Sequence, residues 1–158
     1  MKYSTQKMNL INAEIISTWK YPKPYDIYSM NNDEQTIDEL MHCNYFSIHL
    51  STQLIGYYCS GQSAQVPTDL SKPIYEDNSY VDIGLGMDPE LTGKGQGKNF
   101  LSYTIECAKN SYPDKNLRLT VAKFNKRAIH LYKGFGFKQH FSFIKPDSDT
   151  EFIIMLLS

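Results

Sequence analysis

Cysteine is scarce in this sequence, and its spacing does not form a recognisable site. Cys43, Cys59 and Cys107 are the three cysteines among 158 residues, and no C-x-x-C pair occurs. An odd number without metal-type spacing argues against a disulfide framework and against a zinc site. We therefore expect all three thiols to be reduced and mostly buried. The four histidines show no H-x-x-x-H spacing either, so we predict no metal.

Long apolar runs and a surplus of one charge are also missing. No apolar run approaches the ~20 residues that span a bilayer, and the N-terminus, MKYSTQKMNL, lacks the apolar region of a signal peptide. We therefore expect a cytoplasmic protein with no membrane partner. The net charge of −1 argues against nucleic acid as a partner. A length of 158 residues with 41% hydrophobic content predicts a single soluble domain over residues 1–158.

The most informative stretch is residues 80–100, which read YVDIGLGMDPELTGKGQGKNF. Its first part, Tyr80 to Met87, alternates like a strand. Three glycines at alternate positions, 93, 95 and 97, then lead directly into a helical pattern. Glycines let the backbone approach a ligand, and the first N–H groups of a helix have no partner within it. The stretch therefore predicts a binding site for an anion, most naturally a phosphate.

Two familiar phosphate loops do not fit this spacing. A nucleotide P-loop ends in Gly-Lys-Ser/Thr, whereas Gly97-Lys98 is followed by Asn99. A dinucleotide fingerprint, G-x-G-x-x-G, would place its last glycine where Lys98 stands. A glycine-rich surface turn without a ligand is the alternative reading of the loop alone.

The spacing that remains is Gln/Arg-x-x-Gly-x-Gly/Ala, met by TGKGQG at 92–97, with Thr92 in place of the long donor. A second motif, NKRAIHLYKGFGF at 125–137, has Asn, Arg-Ala, Leu-Tyr and Gly-Phe in order. Together the two motifs resemble the acetyl-CoA loop and the following helix of the GNAT N-acetyltransferase family. The resemblance covers residues 79–137 well and the N-terminal part only in general layout.

This resemblance implies an acetyl-CoA-dependent N-acetyltransferase with acetyl-CoA as co-substrate and no metal. The acceptor would be a primary amine on a small molecule or a peptide. The residues expected to bind acetyl-CoA are Leu85, Met87, Thr92, Gly93, Gly95, Gly97, Lys98 and Asn125. Those expected to border the acceptor site are Tyr25 and Tyr28, for which simple packing is an equal alternative. A non-catalytic CoA-binding sensor or assembly module is the alternative function.

Two residues are candidates for proton transfer. The resemblance implies that Tyr132 faces the CoA sulfur, where its phenol could protonate the departing thiolate; a core tyrosine is the alternative. Strand alternation places Asp82 on one face with Gly84 and Gly86, which predicts a groove that contains an acid. We therefore expect Asp82 to remove the amine proton through a water molecule; its alternative role is as a surface residue or the cross-strand partner of Arg118. The backbone N–H near Met87 is the candidate oxyanion donor.

Periodicity and capping residues predict the remaining elements. A first helix capped by Asn9 is expected to end at Trp19, with Ile11, Ile15 and Trp19 at helical intervals and packing favoured for Trp19. A second helix, capped by Asp33, is expected to end near His42, and a third to run from Lys98 to Asn110; a short helix capped by Asn125 would be closed by Gly134. Alternation also predicts strands at Tyr45 to Leu50 and Glu151 to Leu157. The predicted fold class is α/β, of the α+β mixed-sheet kind: a central mixed sheet with one parallel β-α-β crossover, flanked by helices. The resemblance implies the GNAT acyl-CoA N-acyltransferase fold, in which the central parallel strands splay apart.

Two further expectations concern surfaces. The loop Gly61 to Asn78 is long for an irregular connection, so it is expected to cover the acceptor pocket, with an ordinary surface loop as the alternative. The acids Glu76, Asp77 and Asp82 favour a cationic acceptor. The protein is expected to be a monomer or a homodimer, and Phe141 and Phe143 on the last strands are candidate dimer contacts or core residues.

Overall fold

The computed structural model describes residues 2–68, 73–146 and 148–158. In this part of the chain the strands are β1 (Tyr3–Lys7), β2 (Tyr45–Leu50), β3 (Gln53–Ser60), β4 (Tyr80–Met87), β5 (Asn116–Ala122), β6 (Lys138–Ile144) and β7 (Glu151–Leu157). The α-helices are α1 (Leu10–Ser17), α2 (Glu34–His42), α3 (Gly97–Ser111) and α4 (Lys126–Gly134). Part of the predicted loop after β3, residues 69–72, and residue 147 in the predicted last turn lie outside the description.

The strands form a mixed sheet in the order β1-β2-β3-β4-β5-β7-β6. Strands β1, β2 and β3 pair antiparallel, β4 pairs parallel with β5, and β5, β7 and β6 pair antiparallel. The connection from β4 to β5 runs through α3, as a parallel crossover requires. The predicted mixed sheet with one parallel β-α-β crossover is confirmed.

The chain divides into two compact units. The first comprises Met1–Cys59 and Leu85–Tyr103, and the second comprises Ser60–Gly84 and Thr104–Ser158. The division passes through β4 and through α3, so each of these elements contributes one end to each unit. A single domain over residues 1–158 stays a prediction.

In the first unit, two capped helices pack beside the antiparallel strands. The side chain of Asn9 accepts a hydrogen bond from the Asn12 backbone N–H, and Asp33 does the same for Thr36, as both predicted N-caps require. The core cluster consists of Met8, Ala13, Ile16, Trp19 and Leu40. Trp19 is therefore a packing residue, as the sequence favoured.

The predicted apolar face of α1 is only partly right. Ala13, Ile16 and Ser17 are buried, but Ile11 and Ile15 are 71% and 44% exposed. Helix α1 ends at Ser17, two residues before the predicted end at Trp19. Trp19 therefore enters the core from the chain after the helix, and the stripe of Ile11, Ile15 and Trp19 does not exist.

In the second unit, α4 begins as predicted and ends differently. Asn125 caps it by accepting a hydrogen bond from the backbone N–H of Ala128. The glycine with left-handed backbone after this helix is Gly136, at a φ of 99°, whereas Gly134 is the last helical residue. The helix does reach Gly134, but Gly136 supplies the left-handed closure that the sequence assigned to Gly134, and only Phe135 lies between them.

Other sequence expectations are also refined by the fold. Phe143 is 4% exposed and stacks with Phe152, which supports its core role, while Phe141 is 43% exposed. No disulfide joins the described residues Cys43, Cys59 and Cys107; only Cys59 is buried, and Cys43 is exposed. The expectation that the thiols are mostly buried is therefore wrong for Cys43.

Strand β3 and the end of β4 approach closely at two glycines of the first unit. A Cβ on Gly56 would lie 2.5 Å from the carbonyl oxygen of Gly86 and 2.6 Å from the ring of Phe100. One of these neighbours is backbone, so it cannot swing away as a flexible side chain would. The position therefore accepts only glycine without a shift of a strand or of α3.

We predict that Gly56→Ala lowers the free energy of unfolding by about 1–3 kcal/mol, the range for overpacking a filled site. Urea denaturation measures the change. Gly134→Ala is the matched control, because a Cβ there meets nothing within 4 Å; its effect should be neutral or stabilising by up to ~1 kcal/mol. Equal stability of Gly56→Ala and the wild type would contradict the close approach.

Candidate active site

Two residues of the glycine loop in the first unit have left-handed backbone, a conformation that glycine adopts more easily than other residues. Gly93 and Gly95 have φ angles of 74° and 80°. At Gly95 a Cβ would meet nothing within 4 Å, so the backbone there is open to a ligand. The hydroxyl of Thr92 donates to the carbonyl of Pro89 at 2.8 Å and thereby closes the preceding turn. Thr92 therefore shapes the loop through its own side chain.

Helix α3 starts directly after this loop. Its first residue is Gly97, and the backbone N–H of Phe100 donates to the carbonyl of Gln96 at 3.0 Å. The N–H groups of Gly97, Lys98 and Asn99 precede that first helical bond, where a helix has no internal acceptors. Lys98 is exposed beside them. Free N–H groups, the positive end of the helix dipole and an open backbone fit a phosphate-bearing ligand.

The end of β4 is held by a tyrosine that sequence reasoning did not place in the site. The phenol of Tyr21 donates to the carbonyl oxygen of Met87 at 2.6 Å. Burial, followed by the nearby charge of Asp88, raises the pKa of Tyr21 well above its usual value. The phenol therefore stays protonated and remains a donor. No pattern in the sequence links these residues, which are 66 positions apart.

The backbone N–H that follows this carbonyl also has a hydrogen-bond partner. The N–H of Asp88 donates to the carbonyl of Ile55 on β3 at 2.8 Å. The peptide group that joins Met87 to Asp88 therefore has a partner on its carbonyl and another on its N–H. A peptide unit is planar, so fixing both of its ends fixes the orientation of the strand end.

The groove predicted beside Gly86 is filled. A Cβ on Gly86 would lie 2.3 Å from the ring of Tyr57. That ring packs in turn against Trp19, with centroids 6.5 Å apart, and against Tyr45, at 5.8 Å. The missing side chain of Gly86 therefore makes room for an aromatic ring, and the expectation of an open groove there is wrong.

The two tyrosines predicted to border the acceptor site lie in the same segment as Tyr21. They form the ends of a 3-10 turn, Tyr25–Tyr28, and both are partly buried. The backbone N–H of Tyr25 donates to the carbonyl of Pro22 at 2.8 Å. Their role toward an acceptor stays a prediction.

In the second unit, Asp82 is the partner of a buried arginine. Its two oxygens accept from Nε and Nη2 of Arg118 at 2.7 and 2.9 Å, and both side chains are 4% exposed. Gln65 also donates to the carboxylate, at 2.9 Å. The two charged residues are register partners on the parallel strands β4 and β5. The cross-strand pairing with Arg118, which the sequence left open, is confirmed.

Arg118 also organises the segment before β4. It donates to the backbone carbonyls of Tyr75 and Asp77 at 3.2 and 3.3 Å, and its guanidinium lies 5.5 Å from the ring centroid of Tyr75. The hydrogen bonds from Arg118 to Asp82 raise the pKa of Arg118 above its usual value. The carboxylate of Asp82 is thus neutralised by a permanent cation, which weakens the sequence argument that it attracts a cationic acceptor.

The remaining two predicted residues, Asn125 and Tyr132, lie at the N-cap and near the end of α4. Asn125 is buried and caps the helix, and Tyr132 lies seven positions later. The Tyr132 ring is partly buried and lies 6.0 Å from the ring centroid of Phe137, at an angle of 60°. The cap secures the start of the helix, and the ring contact packs Tyr132 against the turn that follows it.

The predicted site residues are therefore distributed over both units. The first unit contains Tyr25, Tyr28, Leu85, Met87, Thr92, Gly93, Gly95, Gly97 and Lys98, and the second contains Asp82, Asn125 and Tyr132. Within residues 2–68, 73–146 and 148–158, no group of three or more His, Cys, Asp or Glu side chains could hold a metal ion. In the same ranges, no helix has the length and apolar character needed to cross a membrane.

Comparison with known proteins agrees with this geometry. Residues 11–137 match the model of the acetyltransferase (GNAT) family. The chain belongs to the GNAT acetyltransferase family. Enzymes of this family are N-acetyltransferases that take the acetyl group from acetyl-CoA, so the reaction class of this GNAT enzyme follows. No curated protein sequence matches the chain.

Solved structures of GNAT enzymes share its fold. An acetyltransferase (GNAT family) from Bacillus anthracis has a TM-score of 0.73 and 13% identity, covering 99% of this chain and 95% of its own. A chimera of the spermidine N-acetyltransferase SpeG from Vibrio cholerae and hSSAT has a TM-score of 0.70 and 16% identity, and the match covers 99% of this chain and 95% of the chimera. The ribosomal-protein-S18-alanine N-acetyltransferase from Escherichia coli has a TM-score of 0.64 and 17% identity, and the match covers 99% of this chain and 93% of that enzyme. At these identities the likeness establishes the fold.

We predict that Asp82→Asn lowers the free energy of unfolding by about 3–5 kcal/mol, because it leaves the buried Arg118 without a counter-charge. Urea denaturation of Asp82→Asn, Arg118→Met and the double variant measures the coupling. The double variant should be more stable than the sum of the two single effects implies, by about 0.5–3 kcal/mol. Additive effects, or an Asp82→Asn variant as stable as the wild type, would contradict a structural ion pair.

Proposed function

We propose that this GNAT enzyme transfers the acetyl group of acetyl-CoA to a primary amine by direct attack of the amine on the thioester. The observation that carries the proposal is the loop with left-handed backbone at Gly93 and Gly95, open to a ligand and continuous with the start of α3. This arrangement offers free backbone donors and a helix N-terminus to the phosphates of CoA.

The chain offers a second set of contacts for the rest of the cofactor. The parallel ladder between β4 and β5 joins only three residue pairs, from Tyr80 with Asn116 to Asp82 with Arg118. A short ladder supports the splayed strands that the family resemblance implies. We infer that Leu85 and Met87 pair with the pantetheine amides as an added strand would, and that Asn125 donates from its amide nitrogen.

The chemistry follows from the groups at hand. Acetyl-CoA supplies an acetyl group activated as a thioester. As the amine nitrogen forms a bond to the carbonyl carbon, the C–S bond breaks and the sulfur leaves with the electron pair. The N–H of Met87 stabilises the negative charge that develops on the carbonyl oxygen. The phenol of Tyr132 gives its proton to the sulfur, the amine loses its proton to solvent, and Tyr132 regains a proton from solvent before the next turnover.

The role of Asp82 as the general base stays a prediction, and the hydrogen bonds of its carboxylate limit how it could act. Both of its oxygens accept hydrogen bonds from Arg118, and Oδ2 accepts another from Gln65. Both oxygens of the carboxylate are therefore already engaged by neighbouring side chains. Proton removal by Asp82 therefore requires that Gln65 give up its bond to a water that relays the proton; otherwise an ordered water acts alone.

Acidic side chains in the first unit favour a cationic acceptor. Residues 20–42, which include Tyr25 and Tyr28, contain five acidic residues and two lysines. All five carboxylates lie on exposed residues, so their field attracts a cationic amine. Spermidine and a peptide with an N-terminal alanine, the kinds of amine named for two structural neighbours, are the first acceptors to screen. A cytoplasmic monomer or homodimer completes the proposal.

The proposal predicts that acetyl-CoA alone stabilises the protein in a thermal melt run in parallel with ATP and NADH. Acetyl-CoA at ~100 times its Kd should add about 2.7 kcal/mol, a rise in Tm of several degrees for a chain of this size. Equal shifts with ATP or NADH, or no shift with acetyl-CoA, would contradict the proposed function.

We further predict that Tyr132→Phe lowers turnover about 10²-fold, the low end for loss of a general acid, and leaves the Kd for acetyl-CoA unchanged. Turnover is measured by release of free thiol, and binding by calorimetry. Tyr112→Phe is the control, because its phenol bonds to Ser60 within the same unit. Full turnover of Tyr132→Phe would remove Tyr132 from the mechanism. Binding of acetyl-CoA without acetylation of any amine would favour a non-catalytic CoA-binding module.

A further inference from the structure

We propose that Tyr21 is a positioning residue of the acetyl transfer: its phenol holds the segment that carries Tyr25 and Tyr28 against the end of β4. The inference rests on the proposed function, because it assigns the acceptor amine to this segment and the thioester to the end of β4. Tyr21 itself acts through these groups and touches neither reactant in the proposal.

The first support is the contact itself. The Tyr21 phenol donates to the Met87 carbonyl at 2.6 Å, and the same peptide group donates through Asp88 to Ile55 at 2.8 Å. The carbonyl is therefore held by a side chain from outside the sheet, while the N–H is held by the neighbouring strand. Tyr21 thus fixes a segment to the backbone group directly beside the proposed oxyanion donor.

The second support is the internal bonding of the segment. The backbone N–H of Tyr21 donates to Oγ of Ser29 at 2.9 Å, and the N–H of Ser29 donates to the carbonyl of Asp26 at 3.0 Å. The N–H of Tyr25 donates to the carbonyl of Pro22 at 2.8 Å. These bonds close residues 21–29 on themselves, so the position of Tyr21 sets the positions of Tyr25 and Tyr28.

The two ends of the segment are also secured, by contacts that do not involve the Tyr21 phenol. Trp19 is buried in the core of the first unit, and Oγ of Ser17 donates to the side chain of Asn32 at 3.0 Å. Lys20 donates to the carbonyl of Met30. Loss of the Tyr21 phenol should therefore displace the turn without unfolding the segment.

A displacement of this kind affects the attack of the amine more than the binding of CoA. Attack requires the nitrogen about 3–3.5 Å from the carbonyl carbon, and a misplacement of ~1 Å can cost ~10²-fold in rate. The glycine loop that binds CoA has its own bonds, such as Thr92 to Pro89. Removal of the phenol should thus lower kcat/KM for the amine and leave the affinity for acetyl-CoA nearly unchanged.

The experiment compares Tyr21→Phe with Tyr103→Phe in the full chain. Tyr103 lies in the same unit, and its phenol pairs with Oγ1 of Thr5 at 2.8 Å, so the control also loses one phenolic hydrogen bond. Calorimetry measures the Kd of acetyl-CoA, and steady-state assays with spermidine and with an alanine-starting peptide measure kcat/KM. Hydrogen exchange follows residues 21–29 and the Asp88 amide.

In Tyr21→Phe we expect kcat/KM for the amine to fall at least about tenfold, exchange at residues 21–29 to become faster, and the Kd of acetyl-CoA to change less than about twofold. Tyr103→Phe should match the wild type in all three. Should neither amine be a substrate, the exchange decides: faster exchange in Tyr21→Phe supports the inference.

Three results would overturn it: unchanged exchange, an unchanged kcat/KM, or an equal loss of acetyl-CoA affinity and amine turnover, which would indicate general loosening. Failure of the proposed function is a different result, because the wild type itself would then bind no acetyl-CoA.

Discussion

The peptide group between Met87 and Asp88 is held at both ends, and the orientation of the end of β4, where we propose that the thioester binds, depends on that constraint. Tyr21 occupies its carbonyl and Ile55 occupies its N–H. One residue earlier, Gly86 has no side chain, so the Tyr57 ring packs directly on the strand. A strand end fixed in this way can present the Met87 N–H in a constant direction. The proposed oxyanion contact requires that preorganisation, because a mobile donor would have to reorganise during the reaction.

The other half of β4 is secured by charge. Asp82 and Arg118 form a buried ion pair between parallel strands, and Arg118 also binds two backbone carbonyls of the segment before β4. Both charges are thereby satisfied where isolated burial would be costly. The ion pair thus joins β4 to β5, and both oxygens of the carboxylate are occupied by Arg118. The same strand thus carries an acid paired with an arginine near its start and a peptide group held by two hydrogen bonds at its end.

Local patterns in the sequence predicted most of this fold. The bounds of β2, β4 and β7, the caps Asn9, Asp33 and Asn125, and the turn to left-handed backbone at Gly93 and Gly95 all depend on near neighbours in the chain. The misses depend on distant contacts. The Tyr21–Met87 bond and the Tyr57 ring over Gly86 leave no periodic signal, and the place of Trp19 follows from where α1 happens to end. The Asp82–Arg118 pair was foreseeable because alternation on two parallel strands offers few partners.

The central claim is that CoA binds through the backbone of the glycine loop and of the end of β4. The most direct test is a titration of ¹⁵N-labelled protein with acetyl-CoA, followed through the backbone amide signals. The account predicts that the largest changes occur at Gly93, Gly95, Gly97 and Met87. Saturable changes confined to other residues, or no saturable change at all, would contradict it.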